Sequence, residues 1–442
     1  MTGHGEGFFR PETPQQAAEI LGEAARTGTP ITVAGAGTGL VGGRVPDGGW
    51  VLSMERFRKL EIERGRARVG AGILLRDLQV AAKSSGQFYA PDPTEWGASM
   101  GGTIATNASG SRSFLYGSTR RHLLSITVAQ MDGKLRTYGR GEKLGFAYTP
   151  LPAPRARKHT AGFCLRPDTG YLELICGSEG ILAVVLEADV QLLPQPRSLL
   201  SGVVFFLSED AALDAVDAWR DVPQLRMLEF FDGPSLDLLR GPYPEIPKAA
   251  QAALLIEQML DGLDGDAEEE WLERMEQFHS LDDSWFGATD ADRERFRAFR
   301  HKLPEVVNER IKRNGFQKMG TDAAVPLEKN REMMRWYRQT LDERFPGKAV
   351  MYGHIGDAHA HTNVLPETED DAVRGRAFQY ESARQAVALG GTVSAEHGLG
   401  KQKKSFLGLE FTPEQIQAMC DVKRHFDPQW LLGRGNLLPL PK

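Results

Sequence analysis

The glycine-rich segment at residues 35–49 constrains the fold of this chain more than any other part of its sequence. It begins Gly-Ala-Gly-Thr-Gly-Leu-Val-Gly-Gly and follows a β-branched run at 30–34 that predicts a strand. The spacing contains Gly-x-Gly-x-x-Gly, but the dinucleotide fingerprint of a Rossmann fold requires a helix that opens at the last glycine. Here the continuation around Pro46 cannot propagate a helix. Because the backbone N–H groups of a glycine loop can cradle a phosphate, we expect dinucleotide phosphate binding without a Rossmann fold.

Two further glycine-rich segments lie in the same N-terminal region. Residues 97–110 read Gly-Ala-Ser-Met-Gly-Gly-Thr-Ile-Ala-Thr-Asn-Ala-Ser-Gly, and residues 177–180 read Gly-Ser-Glu-Gly. One glycine cluster usually marks only a turn. Three separated clusters of small residues, which allow close backbone approach, predict a large cofactor that lies across several loops.

Histidines and a carboxylate cluster in the C-terminal region. Residues 354–361 read His-Ile-Gly-Asp-Ala-His-Ala-His, and Glu396-His397 follows within Ser-Ala-Glu-His-Gly-Leu-Gly-Lys at 394–401. In an extended segment His359 and His361 would share one face. An isolated histidine is more often structural than functional, but imidazole and carboxylate together are a ligand set for zinc, iron or manganese. The cluster predicts a divalent metal site, with zinc as the first choice and iron or manganese as the alternatives.

The charge balance and the cysteines exclude several classes of protein. The 442 residues carry 53 Lys and Arg against 59 Asp and Glu, a net charge of −6. No broad basic surface for nucleic acid is therefore expected. The 3 cysteines form no Cys-x-x-Cys motif, which argues against an internal iron–sulfur cluster and a disulfide framework.

Export and membrane insertion are not expected from the sequence. The N-terminal residues lack the basic and then apolar order of a signal peptide, and the apolar run at 181–193 is shorter than the roughly 20 residues that span a bilayer. We expect a cytoplasmic protein, with peripheral attachment to the inner membrane as the alternative.

The pattern of turns and caps divides the chain near residue 195. Before it, we predict a helix at about 14–26 and strands near 30–34, 50–53, 66–70 and 123–131. After it, we predict strands alternating with helices over 200–260, a helical stretch over 266–300, helices near 328–345 and 372–389, and a last helix from Thr412-Pro413.

Taken in order, these motifs resemble the FAD-linked D-2-hydroxyacid dehydrogenases of the vanillyl-alcohol oxidase superfamily, which include D-lactate dehydrogenases and the flavoprotein subunit of glycolate oxidase. The resemblance runs nearly end to end, and includes Pro-Asp-Pro at 91–93 and Gly-His-Ile-Gly-Asp at 353–357. It implies an α+β fold: an FAD-binding domain of the vanillyl-alcohol oxidase type at 1–195, an α+β cap domain for the substrate at 196–390, and a C-terminal helical segment at 391–442 that returns to the FAD domain.

The resemblance also implies the residues of the site. The FAD contacts would come from Gly35, Gly37, Thr38, Gly39, Gly43, Gly102, Asn107, Gly110, Glu179, Gly180 and Asn436. Thr38 stands where covalently flavinylated relatives have histidine, so the FAD is expected to be noncovalent. The implied metal ligands are His354, His361 and Glu396, the base is His397, the carboxylate clamp is Arg300, and Lys318 is a further catalytic candidate. His359 stands where the family usually has asparagine, which leaves open whether it is a ligand.

The implied activity is oxidation of a D-2-hydroxy acid, such as D-lactate or glycolate, to the 2-keto acid by hydride transfer to flavin. The electron acceptor would lie outside the chain and be a quinone, an electron-transfer flavoprotein or a partner subunit, and a homodimer is left open. Two rivals remain: a non-redox metal-dependent hydrolase that uses only the His/Glu site, and a non-redox flavoenzyme of the same superfamily, such as an alkyl-ether lipid synthase. A flavin-binding subunit without its own substrate site is a third reading, against which Arg300, His354 and His397 argue.

Overall fold

Three small sheets form within the N-terminal part of the chain. The computed structural model describes residues 2–263 and 265–441. A parallel sheet has the order β1-β3-β2, an antiparallel sheet has the order β4-β5-β9-β7-β8, and β6 pairs with β10. The strands are β1 (Gly7–Phe9), β2 (Ile31–Ala34), β3 (Trp50–Ser53), β4 (Leu60–Glu63), β5 (Arg66–Gly70), β6 (Gln87–Phe88), β7 (Leu123–Ala129), β8 (Leu135–Gly139), β9 (Val184–Gln191) and β10 (Leu193–Pro194).

Short helices connect these strands. They are α1 (Pro14–Thr27), α2 (Leu75–Ser84), α3 (Met100–Thr106), α4 (Ser113–Tyr116), α5 (Thr119–His122) and α6 (Tyr171–Ile175). The first helix begins as its sequence predicts, because the Thr13 side chain accepts a hydrogen bond from the Gln16 N–H, and it ends at Gly28 in the left-handed conformation.

The middle of the chain builds one seven-stranded antiparallel sheet of order β14-β11-β13-β12-β16-β17-β15. Its strands are β11 (Leu199–Phe206), β12 (Leu225–Asp232), β13 (Ala252–Met259), β14 (Trp285–Gly287), β15 (Met319–Gly320), β16 (Ala349–His354) and β17 (His359–Val364). The helices of this region are α7 (Glu209–Trp219), α8 (Gly233–Leu239), α9 (Ala267–Gln277), α10 (Asp290–Asn314), α11 (Asn330–Arg344) and α12 (Glu369–Ala388). Apolar clusters pack on both faces of the sheet, so its central strands β11, β12 and β13 are buried along nearly their whole length.

The last part of the chain packs against the N-terminal part. It contains α13 (Leu407–Glu410) and α14 (Pro413–Phe426). Leu431 and Leu432 join the core of the parallel sheet, and the Ile31 N–H donates to the Leu431 carbonyl at 2.8 Å. Buried Lys423 fastens the same region, because its Nζ donates to the carbonyls of Ile181 and Leu432 at 2.7 and 2.9 Å.

The local predictions are largely confirmed, with one correction. The stretch at 266–300 is not continuously helical, because β14 separates α9 from α10 and pairs with β11. Its aromatic residues can be buried from a helix or from a strand, since Trp285 of β14 packs on Phe205 and Phe299 in the core.

Among the described residues, no helix combines the length and the apolar character that crossing a bilayer requires. The division into three domains stays a prediction.

Candidate active site

The hairpin of β16 and β17 places four polar aromatic side chains on one face of the large sheet. His354 lies opposite His359, and Tyr352 lies opposite His361. Because side chains alternate between the faces of a strand, all four point to the same side. A 3₁₀ turn at Ile355–Asp357 and a left-handed Ala358 reverse the chain between the strands. The chain therefore reverses at Gly356-Asp357, two residue types that favour turns.

Glu396 meets this face of the hairpin from the loop after α12. Its Oε2 lies 3.2 Å from His354 Nε2 and 3.8 Å from His361 Nε2. One ligand atom from each of His354, His359, His361 and Glu396 lies within 4.8 Å of the others. The three residues predicted as metal ligands thus come together, and His359 joins them. Burial lowers the pKa of His359 to about 3, so this imidazole is neutral and keeps a lone pair for an ion. The donor set fits a divalent metal.

Glu229, in the middle of β12, holds two of the predicted site residues. Its Oε1 lies 2.6 Å from His354 Nδ1, and its Oε2 accepts a hydrogen bond from Arg300 Nε at 2.9 Å. Burial alone would raise the pKa of Glu229, but His354 and Arg300 together hold it well below its usual range. Arg300 Nη1 also donates to Thr94 at 3.0 Å. Among the described residues Nη2 has no hydrogen-bond acceptor, so this nitrogen can still donate to an anion.

Asp322 organises the loop that carries His397. It accepts hydrogen bonds from the His397 backbone N–H at 2.9 Å and from Ser394 Oγ at 2.6 Å. Its Oδ1 also lies 3.4 Å from His397 Nδ1, which leaves Nε2 for a bound molecule. Burial lowers the pKa of His397 to about 4, and Asp322 opposes this shift. His397 is therefore neutral at pH 7, as a proton acceptor must be.

Lys158 and Ser109 hold the second oxygen of Glu396. Lys158 Nζ lies 2.7 Å and Ser109 Oγ 2.6 Å from Glu396 Oε1. Lys158 also donates to the Gly110 carbonyl at 3.1 Å and lies 3.5 Å from Asp357 Oδ2. With Oε1 occupied in this way, Oε2 is the oxygen that faces the imidazoles.

Hydrogen bonds join, in series, the segments that carry the residues predicted to bind FAD. The Ala36 N–H donates to Ser99 Oγ at 3.3 Å, just before Gly102 in α3. The Glu179 N–H donates to the Ala105 carbonyl at 2.7 Å, next to Asn107. Asn436 closes the series, because its Nδ2 donates to the Gly43 carbonyl at 2.9 Å.

Space for a ligand differs along this series. A Cβ atom on Gly39 or Gly180 would meet no atom within 4 Å, so a ligand can approach either backbone. Asn436 Oδ1 is buried and accepts no hydrogen bond within the described part of the chain. These features fit a bulky polar cofactor. At Gly110, by contrast, a Cβ would lie 1.9 Å from the Asp92 carbonyl, so packing of the chain explains this glycine.

Two predicted residues have surroundings that differ from the expectation. Glu179 uses both carboxylate oxygens on the chain itself, accepting the N–H groups of Leu399 and Gly400 at 2.7 Å each. Lys318 directly precedes β15, and its side chain is exposed. Protein atoms around the ammonium group reduce its hydration, which lowers the pKa of Lys318. No hydrogen bond or ion pair joins it to the described residues of the cluster. The catalytic role of Lys318 stays a prediction.

The sequence analysis missed four residues that shape the site: Glu229, Asp322, Lys158 and Ser109. Glu229 left a usable signal, since it is an acid within the otherwise apolar run at 227–231. Asp322 and Lys158 lie in short irregular segments whose neighbours indicate nothing about burial. Only the tertiary structure brings them to the histidines.

Comparison with known families matches both parts of the chain. The family described as "FAD linked oxidases, C-terminal domain" matches residues 195–437, which is more than half of the chain. The family described as "FAD binding domain" matches residues 6–139.

Similar proteins cover nearly the whole sequence. A D-lactate dehydrogenase of Archaeoglobus fulgidus is 30% identical over 97% of this chain and 90% of its own length. Glycolate oxidase subunit GlcD of Bacillus subtilis is 30% identical over 98% of this chain and 88% of its own. GlcD of Escherichia coli strain K12 is 31% identical over 97% and 83%.

A solved structure shows a similar fold. It is an alkyldihydroxyacetonephosphate synthase, which superposes with a TM-score of 0.69 at 15% identity and covers 96% of this chain and 76% of that one. At this identity the likeness concerns the fold alone, and it agrees with the predicted α+β architecture of the vanillyl-alcohol oxidase type.

Proposed function

Because this chain belongs to the FAD-linked oxidase family, we propose that it oxidises a D-2-hydroxy acid, such as D-lactate or glycolate, to the 2-keto acid. The names of its relatives and the geometry around Glu396 support this substrate class. The observation that carries the proposal is the convergence of Arg300, His397 and the His/Glu cluster on one face of the large sheet.

Each residue has a separate task in the proposed reaction. When bound, the metal ion supplies a Lewis acid for the substrate oxygens, and FAD supplies the acceptor for a hydride. His354, His361 and Glu396 would hold the ion. Arg300 Nη2 would bind the substrate carboxylate, while Glu229 fixes the orientation of the guanidinium.

His397 would take the hydroxyl proton on Nε2 as the α-carbon gives up its hydride. The O–H and C–H bonds break, a C=O bond forms, and the electron pair leaves with the hydride. Asp322 supports this step because it lies at Nδ1, and so stabilises the imidazolium that forms. The reduced cofactor would pass its electrons to an external quinone, an electron-transfer flavoprotein or a partner subunit.

The test is anaerobic reduction of the purified yellow protein by a panel of D- and L-2-hydroxy acids, with and without chelator. We expect bleaching of the flavin absorbance by a D-hydroxy acid or glycolate, slowed by removal of the metal. We expect His397→Asn to slow bleaching by about 10²–10⁴-fold while the flavin content stays normal.

Other outcomes separate the rival functions. A colourless protein with metal-dependent hydrolytic activity would favour the hydrolase. A flavoprotein that no hydroxy acid reduces would favour a non-redox flavoenzyme. Full turnover in a folded His397→Asn variant would contradict the proposed base.

A further inference from the structure

We infer that His359 is a fourth protein ligand of the metal, so that three imidazoles and one carboxylate bind the ion. This inference rests on the proposed function, because it requires the ion that His354, His361 and Glu396 would hold. It goes beyond that function because it adds a third imidazole to the two that the resemblance implies as ligands.

The burial of His359 is the first argument. Its side chain is 0% exposed, and neither ring nitrogen makes a hydrogen bond within the described residues. A buried imidazole without partners is costly, since nearly all buried polar groups in proteins are paired. A metal ion on one nitrogen supplies the missing partner.

The position of His359 is the second argument. Its ring centroid lies 5.4 Å from that of His354 and 4.3 Å from that of His361, and its ligand atom lies within 4.8 Å of those of the other three residues. Nitrogen ligands at about 2.0–2.1 Å from an ion lie about 3.3 Å apart in a tetrahedron. Each ligand atom would therefore move inward by less than about 1 Å.

The competing partner of His359 is Asp322. His359 Nε2 lies 3.4 Å from Asp322 Oδ1, but the alignment does not make a hydrogen bond. That oxygen already accepts a hydrogen bond from the Glu396 backbone N–H at 3.2 Å and lies 3.4 Å from His397 Nδ1. A carboxylate beside one ring nitrogen is also the arrangement that orients metal-bound histidines. Asp322 is therefore compatible with ligation by His359.

Four protein ligands change what the ion can do. They fill a tetrahedral sphere, and a substrate that binds the ion through two oxygens then requires expansion beyond four ligands. Fe²⁺ and Mn²⁺ accept six ligands readily, and Zn²⁺ accepts five. Ligation by His359 thus favours an ion that can expand its coordination.

X-ray absorption spectroscopy of the Zn²⁺-loaded flavoprotein tests this inference directly. We expect three imidazoles on zinc in the wild type and two in His359→Asn. We also expect His359→Asn to lower Zn²⁺ affinity, measured by competition with a chromogenic chelator, by at least about 10-fold. His425→Asn is the matched control, because His425 stacks on Phe146 away from the cluster and should leave zinc binding unchanged.

The outcomes distinguish the two proposals. Two imidazoles in a wild-type protein that binds zinc and is bleached by a hydroxy acid would overturn the role of His359 alone. A wild-type protein that binds no metal would overturn both the ligand and the metal part of the proposed function. The wild-type spectrum decides the matter even if His359→Asn fails to fold.

Discussion

Buried charge at the scale of single residues is concentrated around the candidate site. Lys158, Glu229 and Asp322 are each buried, and each contacts a histidine or carboxylate of the cluster. Such charges persist only when they are paired, because an unpaired ion in the interior costs several kcal/mol. Substitutions that remove one partner at a time therefore test these ion pairs.

Lys158→Met should make the stability of the folded protein depend more strongly on bound metal. Without Lys158, Glu396 and Asp357 lose the cation between them, and the metal-free protein should lose about 3–5 kcal/mol of unfolding free energy. Added Zn²⁺ should restore more stability in the variant than in the wild type, because the ion replaces the missing charge. Urea denaturation with and without Zn²⁺ measures both effects.

Lys423→Met is the control for Lys158→Met. It removes another buried lysine, paired with Asp427 away from the cluster, and should destabilise the protein without enlarging the response to Zn²⁺. An equal response to Zn²⁺ in Lys158→Met and wild type would contradict the prediction.

Glu229→Gln should impair both stability and substrate binding. Arg300 loses its buried anion, so we expect a loss of about 3–5 kcal/mol of unfolding free energy. We also expect a KM for the hydroxy acid about 10-fold higher, equivalent to about 1.4 kcal/mol, because the guanidinium is no longer held in place. Steady-state kinetics and urea denaturation measure the two effects.

Glu257→Gln is the matched control, because Glu257 is a buried acid of the neighbouring strand that pairs with Arg112 and Arg226. It should destabilise the protein and leave KM within about 2-fold. If both variants raise KM equally, Glu229 has no special relation to the substrate.

At the scale of elements, the capping motifs predicted where helices begin. The caps at Thr13 and Thr412 lead directly into α1 and α14, because a threonine cap and the following proline act within one turn of the chain. The short strand β14 was missed, since its pairing with β11 depends on residues about 80 positions away.

The free energy of unfolding should depend on pH through Glu209, the first residue of α7. Burial and nearby Asp232 raise the pKa of Glu209 to about 7, against 4.5 for an ordinary glutamate, although Arg338 opposes the shift. The folded state then binds more protons than the unfolded state between these values, so stability is lost as the pH rises from about 4.5 to about 7. Glu209→Gln should remove this part of the pH dependence, which urea denaturation at several pH values would show. If the free energy of unfolding fell equally with rising pH in Glu209→Gln and in the wild type, this prediction would be contradicted.

At the scale of the whole molecule, the candidate site lies where three parts of the chain meet. β16 and β17 supply the histidines, the loop at 392–398 supplies Glu396, and the N-terminal part supplies Ser109 and Lys158. An ion bound there would link the large sheet to the other two parts. Metal binding should therefore stabilise the whole fold.

Removal of metal with a chelator should lower the Tm, and return of Zn²⁺ should restore it. At a free concentration of 100 times Kd, binding to the folded state contributes about 2.7 kcal/mol. His361→Asn should weaken the response, because it removes one of the ligands, while His425→Asn should keep it in full. Scanning calorimetry at fixed FAD content measures the shift, and an undiminished response in His361→Asn would place the ion elsewhere.

The sequence by itself determined the features that depend on short stretches of chain. The glycine loop excluded a Rossmann fold, the caps predicted helix starts, and alternation along 359–361 placed two histidines on one face, because each depends on backbone geometry within a few residues. Only the tertiary structure decided the partners of these residues. Glu229, Asp322 and Lys158 come from separate segments, and their burial beside the histidines follows from how the sheets and the returning C-terminal chain pack together.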